Sequence, residues 1–236
     1  MQPSAFDVDV GGVRIAYDRY GAEDAPPMVM LHAAGRDAST WSEIAPALAA
    51  SHRVYAPDLR GHGRSDWPGT YSFELMRDDV LGFVDALGLT GVTLVGHSLG
   101  GTVAWLVAER GPAWLTRLVA EDSVPPAPGD QIQFRSRPRQ QPHGDEPPAR
   151  DPLLGAPIME QLRDPDPQWW AGLGRVSVPV LLLAGGPTSH VPQHRIAEAA
   201  ATLPDARLLE IPVGHQIHGE RPAEFIAAVA KFAATS

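Results

Sequence analysis

The stretch Leu94-Val95-Gly96-His97-Ser98-Leu99-Gly100-Gly101 decides the fold: an apolar run enters a Gly-x-Ser-x-Gly turn, and a helix-compatible run leaves it. A serine at the tip of so sharp a strand-to-helix turn needs small residues two before and two after it, where the backbones pass closely. Gly96 and Gly100 meet that need. The preceding Val92-Thr93-Leu94-Val95 suits a buried parallel strand, and Thr102 to Ala108 suits an apolar helix. This is the context that a nucleophile elbow demands.

At 236 residues and 44% hydrophobic content, the chain can bury one large α/β core. A net charge of −9 argues against nucleic acid or an anionic membrane as partner, since both need a basic surface. With no cysteine, thiolate catalysis, disulfides and cysteine-ligated metal are excluded. Met1 to Val10 lacks the basic and apolar regions of a signal peptide, and no run reaches membrane-span length, so a cytoplasmic location is expected.

Along the chain, Phe6 to Val10 and Val13 to Tyr17 alternate apolar and polar residues around Gly11-Gly12, which predicts a hairpin. Met28 to Leu31 reads as a strand ending at His32-Ala33-Ala34-Gly35. Ala38 to Ala50 carries Trp41, Ile44, Ala45 and Leu48 at helical spacing, with Ser39 or Thr40 as cap. Arg53 to Pro57 reads as a strand, and Phe73 to Leu87 as a helix with Leu75, Val80, Leu81, Val84 and Leu87 on its apolar face. Leu115 to Ala120 gives a strand closing in Glu121-Asp122-Ser123. The segment from Val124 to about Gln168 is too rich in proline and charge to build its own core, and reads as an inserted cap with short helices, one at Pro167 to Trp170. The strand Val178 to Ala184, the helix Pro192 to Leu203, the strand Ala206 to Ile211 and the helix Pro222 to Ala233 complete the chain.

A serine hydroxyl needs a base within reach, and the base needs a group to orient it. His215 follows the last strand and would stand over the same sheet edge as Ser98. His218 reads as a surface loop residue, His97 points beneath the elbow, and His32 props its own loop. His52, His62, His143, His190 and His194 receive no role. For the acid, the loop Gly185 to Val191 offers no carboxylate. One strand earlier, Glu121 and Asp122 end their strand, and alternation lets only one of them point at the histidine. Asp122 is nearer the loop and is favoured over Glu121. Oxyanion donors are expected from the amide of Leu99 and from Ala34, with Ala33 as second choice. Trp41, Trp169 and Trp170 are candidates for lining an apolar substrate pocket.

Together these residues resemble the α/β-hydrolase fold family. His32-Ala33-Ala34-Gly35 is similar to its His-Gly oxyanion loop, although alanine replaces glycine, and Asp58-Leu59-Arg60-Gly61-His62-Gly63-Arg64-Ser65 is similar to its Asp-x-Arg-Gly-x-Gly-x-Ser loop. The elbow and Gly214-His215 ahead of Pro222 to Phe225 complete the set. The resemblance implies a mostly parallel sheet of about eight strands with helices on both faces and a short inserted cap. The core domain would be residues 1–123 and 176–236, and the cap 124–175. Members such as certain lactone hydrolases and the haloalkane dehalogenases carry the acid one strand early, which by resemblance favours Asp122. A serine at the elbow argues against dehalogenase or epoxide-hydrolase chemistry.

The reading that follows is a serine hydrolase of a small apolar ester or lactone, with Ser98, His215 and Asp122 as the catalytic group and no cofactor or metal. Carbon–carbon bond hydrolysis, or a non-hydrolytic receptor, dehydratase or cyclase on the same scaffold, are the alternatives.

Overall fold

The computed structural model describes residues 4–129 and 149–234. Gly11 and Gly12 adopt φ values of 60° and 88°, and turn β1 (Ser4–Val10) back onto β2 (Val13–Tyr20) in antiparallel register. There follow β3 (Pro27–Leu31), the short α1 (Ala45–Leu48), β4 (Arg53–Pro57), α2 (Phe73–Ala86), β5 (Val92–His97), α3 (Leu99–Glu109) and β6 (Leu115–Glu121). Then come α4 (Gly155–Arg163), α5 (Pro167–Ala171), β7 (Val180–Ala184), α6 (Gln193–Thr202), β8 (Ala206–Glu210), α7 (Ile217–Glu220) and α8 (Pro222–Ala233). The expected eight-stranded, mostly parallel sheet is present, in the order β1-β2-β4-β3-β5-β6-β7-β8. From β4 onward every neighbouring pair is parallel.

Central strands read as continuous apolar runs because each is buried on both faces. Leu94, Leu118 and Leu182 feed one core layer, shared with α2 and α3; their neighbours Val95, Val119 and Leu181 feed the other, shared with Trp41 and α8. The chain order reverses at β3, which has β4 on one side and β5 on the other. In open sheets of this kind ligands bind outside the carboxyl ends of the strands at such a switch point. The loops after β3, β5, β6 and β8, which carry Ala34, Ser98, Asp122 and His215, all leave from those ends.

Two local expectations are corrected. Residues 38–50 do not form one helix: a 3₁₀ turn spans Ala38–Trp41 and α1 only Ala45–Leu48. Pro46 lacks the N–H needed to continue a helical ladder to the Ser42 carbonyl, and its ring crowds that carbonyl. The cap is Asp37, whose carboxylate accepts the Ser39 N–H at 2.9 Å, not Ser39 or Thr40. On α2 the buried face comprises Phe73, Met76, Val80, Phe83 and Val84, while Leu75, Leu81 and Leu87 are half-buried. The buried face carries the helix's aromatic contact, Phe83 meeting the Tyr17 ring edge-on at 5.1 Å.

The elbow packs without spare room. A Cβ on Gly96 would lie 2.4 Å from the Gly100 carbonyl oxygen, and one on Gly100 would lie 2.5 Å from the Leu31 oxygen. Gly100→Ala is therefore expected to cost roughly 1–3 kcal/mol through overpacking. That lowers Tm by several degrees, on a scale of about 2–4 °C per kcal/mol for a chain of this size. Gly174→Ala, where nothing lies within 4 Å, serves as the control and should leave Tm in thermal unfolding unchanged.

Candidate active site

Ser98 links β5 to α3 with φ 55° and ψ −117°, a left-handed conformation that a side-chain-bearing residue adopts only when its surroundings enforce it. The enforcement is visible: the Gly100 N–H donates to the His32 carbonyl at 3.2 Å, and the Ser123 hydroxyl donates to the Ser98 carbonyl at 3.2 Å. Leu99 is the first residue of α3, so its amide has no partner within the helix. Ser98, Leu99, Ala34, Asp122 and His215 all border one cavity of about 480 Å³.

His215 follows Gly214, whose φ of 92° turns the chain back over the sheet edge. Its Nδ1 lies 2.7 Å from Asp122 Oδ2. A carboxylate can only accept, so Nδ1 carries the proton and Nε2 is left as the basic nitrogen. Asp122 is buried and itself sits at φ 42°. Its carboxylate also accepts the Gly185 N–H at 2.9 Å, the Gln193 side-chain amide at 3.0 Å, and the Ser189 hydroxyl. Burial pushes its pKa up, but the hydrogen bonds from His215, Ser189 and Gln193 outweigh burial and hold it below the usual carboxylate value. The loop Gly185 to Val191, which has no carboxylate of its own, thus supplies donors to the acid of the preceding strand. Ser189 and Gln193 went unmarked in the sequence, where the absence of an acid from this loop was the only signal.

Glu121 points to the opposite side and meets His218, not His215. His218 Nδ1 lies 2.8 Å from both Glu121 oxygens, and its backbone N–H donates to Oε1 at 2.9 Å. His218 is therefore no surface residue; it is buried against Trp41 and Phe225. Burial raises the Glu121 pKa, and the nearby His97 and His218 more than offset it, so the net shift is downward. His97 lies beneath the elbow as expected, its Nε2–H donating to the His215 carbonyl at 2.8 Å. Ligating atoms of His97, Glu121 and His218 lie within 4.8 Å of one another, a spacing a metal ion could bridge, but these hydrogen bonds engage the Glu121 oxygens, His218 Nδ1 and His97 Nε2.

The ring of His190, given no role in the sequence, packs on His215 at 4.1 Å and borders the cavity. His215 makes no described side-chain hydrogen bond beyond the one to Asp122; it shares the cavity with Ser98 without a hydrogen bond between them. His32 does prop its loop: Nδ1–H donates to the Ala33 carbonyl and Nε2 accepts the Leu59 N–H, both at 2.9 Å. Ala33 is buried in that arrangement, and Ala34 is the one exposed to the cavity. The Asp58 to Ser65 loop is architectural, with the Asp58 carboxylate accepting the Ala38 N–H at 2.6 Å and the Arg64 N–H at 3.0 Å.

The tryptophan expectation is corrected, because none of the three borders the cavity. Trp41 is fully buried on the other face of the sheet, stacked on Phe225 and tilted against His218. Trp169 is buried edge-on against Phe73, and Trp170 lies under the Arg195 guanidinium. Apolar cavity contacts come instead from Phe73, Ile158, Met159 and Leu162. Residues 130–148 of the expected cap, with His143, lie outside the described residues. Among the described residues, no helix is long and apolar enough to cross a membrane.

A family model for the alpha/beta hydrolase fold matches residues 26–146. The chain is 34% identical to the AB hydrolase superfamily protein YfhM of Bacillus subtilis over 117 residues, covering 48% of this chain and 41% of that protein. It is 28% identical to the sn-1-specific diacylglycerol lipase ABHD11 of Mus musculus, over 91% of this chain and 83% of that one. The chain thus spans under half of YfhM but most of ABHD11. A solved structure of a hydrolase from Pseudomonas aeruginosa PA01 superposes with a TM-score of 0.78 at 27% identity, covering 99% of this chain and 98% of that one. The chain belongs to the alpha/beta hydrolase fold family, and hydrolysis is the coarse activity that the family and these relatives support.

The buried histidines give the site a pH signature. Burial pushes His32 and His97 down to about 4 and His62 to about 3, from 6.5. Between those values the unfolded chain takes up protons that the native state refuses, so stability falls as pH drops below about 6.5. Glu109, pushed up to about 7 by burial, works in the opposite sense between 4.5 and 7, one group against three. The urea midpoint is expected to fall steadily from neutral pH towards pH 4. A flat or rising midpoint would show that these histidines are not buried neutral.

Proposed function

We propose that the protein is a serine hydrolase that cleaves a small carboxylic ester or lactone through an acyl-enzyme on Ser98. The observation that carries this reading is the 2.7 Å pair between Asp122 and His215, bordering the same cavity as a serine held at φ 55°. Ser98 Oγ attacks the substrate carbonyl as His215 Nε2 takes its proton, and Asp122 stabilises the imidazolium that forms. The hydrogen bond from Ser98 Oγ to His215 Nε2, not formed in the free protein, forms as substrate binds, since such contacts are often made only in the Michaelis complex. The amides of Leu99 and Ala34 receive the oxyanion of the tetrahedral intermediate. Collapse expels the alcohol, which takes the proton from His215. A water then loses its proton to the same nitrogen and attacks the acyl carbon; as that tetrahedral intermediate collapses, His215 returns the proton to Ser98 Oγ, and the acid is released.

The described parts of the inserted segment, residues 124–129 and 149–175, act as a cap on this cavity; Ile158, Met159 and Leu162 contribute apolar wall to it. Such a wall favours an apolar acyl or alcohol group. The lipase name of ABHD11, similar over most of both chains, supports ester substrates.

Labelling by a fluorophosphonate probe and turnover of short p-nitrophenyl esters test the reading. Ser98→Ala is expected to abolish both, and His215→Ala to reduce turnover nearly as far. Asp122→Asn should lose up to about 10⁴-fold in kcat, because the amide no longer fixes the imidazole tautomer. Glu121→Gln, whose side chain faces His218, should lose far less. Equal losses at the two positions would remove Asp122 from its assigned part, and a Ser98 inert to the probe would overturn the hydrolase reading.

A further inference from the structure

A cation stands on the wall of the largely apolar cavity. Arg150 borders it beside Ala34 and Ser98. Its backbone is clamped: the Gly63 N–H donates to the Ala149 carbonyl at 3.2 Å, the Asp151 N–H donates to the Gly61 carbonyl at 2.8 Å, and Arg150 itself bridges His62. Asp151 is fixed in turn, accepting from the Tyr71 hydroxyl and from the Leu153 N–H. The Arg150 side chain, by contrast, is exposed, and its Cδ passes 3.9 Å from where a Cβ on Gly35 of the oxyanion loop would sit. A fixed root thus carries a guanidinium to the same rim as the reacting carbonyl.

The charges around it make that guanidinium distinctive. Arg195, the other arginine at the cavity, pairs with Glu198 at 2.8 Å and lies over the Trp170 ring. Asp122, the one carboxylate among the described lining residues, is committed to His215, Ser189, Gln193 and Gly185. Among the described residues no carboxylate pairs with Arg150. The protein as a whole carries a net charge of −9, which repels anions except where a local cation receives them.

We propose that Arg150 forms an anion subsite, and that the substrate is an ester or lactone bearing a carboxylate elsewhere on its carbon skeleton. This deepens, and rests on, the reading of Ser98 as the nucleophile. One planar guanidinium matches one carboxylate in charge and in bidentate geometry, whereas a phosphate dianion would leave a charge uncompensated against apolar walls. The apolar contacts of Ile158 and Met159 suit the methylene chain between the two functional groups.

The test compares p-nitrophenyl half-esters of succinate, glutarate and adipate with their methyl-capped diesters, reading the ratio of kcat/KM at each length. At low salt the best half-ester should exceed its capped counterpart by about tenfold or more, and the ratio should shrink as salt rises. In Arg150→Gln the ratio should collapse to about one, and Arg150→Lys should keep part of it. Capped diesters that are cleaved as well as the half-esters by the wild type, or a ratio that survives Arg150→Gln, would overturn the subsite. Independently of turnover, adipate should raise the Tm of the wild type and of Ser98→Ala but not of Arg150→Gln; an equal shift in all three would also overturn it. Loss of activity on every ester, with the adipate shift intact, would instead count against the Ser98 reading alone.

Discussion

Two consecutive carboxylates at the end of β6 hold the segment that carries His215, and most of the site depends on that grip. Asp122 takes the His215 ring at 2.7 Å, while Glu121, facing the other side, takes both the backbone and the ring of His218. His97, from the next strand, takes the His215 carbonyl. The need for three anchors follows from topology. β8 lies at the sheet edge and is largely exposed, with Leu208 and Leu209 open to solvent, so it cannot position the loop that follows it. Rigidity is imported from β5 and β6, in the buried middle of the sheet. Two buried carboxylates are costly to desolvate, and each is tolerated because several donors converge on it.

On the other side of the site the controlling factor is space rather than charge. Ser98 holds a strained φ because α3 must start against β3, and Gly96, Gly100 and Gly101 let the backbones approach. The same closeness orients the loop after β3: the His32 carbonyl receives the Gly100 N–H, and the His32 ring braces Ala33 and Leu59. The elbow and the His32 to Gly35 loop are thus one packed unit, and neither can shift without the other.

What could be read from the sequence divides along physical lines. Runs such as Met28 to Leu31 and Val180 to Ala184 announce strands buried on both faces, and the spacing of Gly96, Ser98 and Gly100 announces the turn, because each signal lies within a few residues. The alternation of Glu121 and Asp122 also indicated that they part ways. Partners through space left no such trace. Nothing near His218 signals that a carboxylate 97 positions earlier will meet it, and Ser189 in its loop and Gln193 at the start of its helix look like ordinary polar residues until the fold brings Asp122 to them. Trp41, Trp169 and Trp170 failed as pocket candidates because a large apolar ring is equally at home in a core, and only packing separates the two. The break at Pro46 was legible in principle; helical spacing of Trp41, Ile44 and Leu48 masked it.

The division of labour among the loops bears on how such a scaffold acquires a substrate. The family match covers residues 26–146, which include the His32 to Gly35 loop, the elbow, and the carboxylates Glu121 and Asp122 at the end of β6. His215 lies beyond it, and so do Arg150, Ile158, Met159 and Leu162, which together shape the cavity. The elements that hold the reacting atoms are locked into the sheet by backbone contact and buried charge, and a change there disturbs the fold. The walls on α4 and the segment before it are attached by side-chain contacts and loop hydrogen bonds: Leu154 and Ile158 pack into the core beside α2, residues 149 and 151 bond to the Gly61 to Gly63 loop, Asp151 accepts from Tyr71, and Gln161 bonds to Phe73 and Glu74. Substitutions in those walls can re-shape the cavity and its charge while leaving the grip on His215 intact. On the proposed reading, substrate choice and chemical competence are therefore separable, because they rest on different contacts.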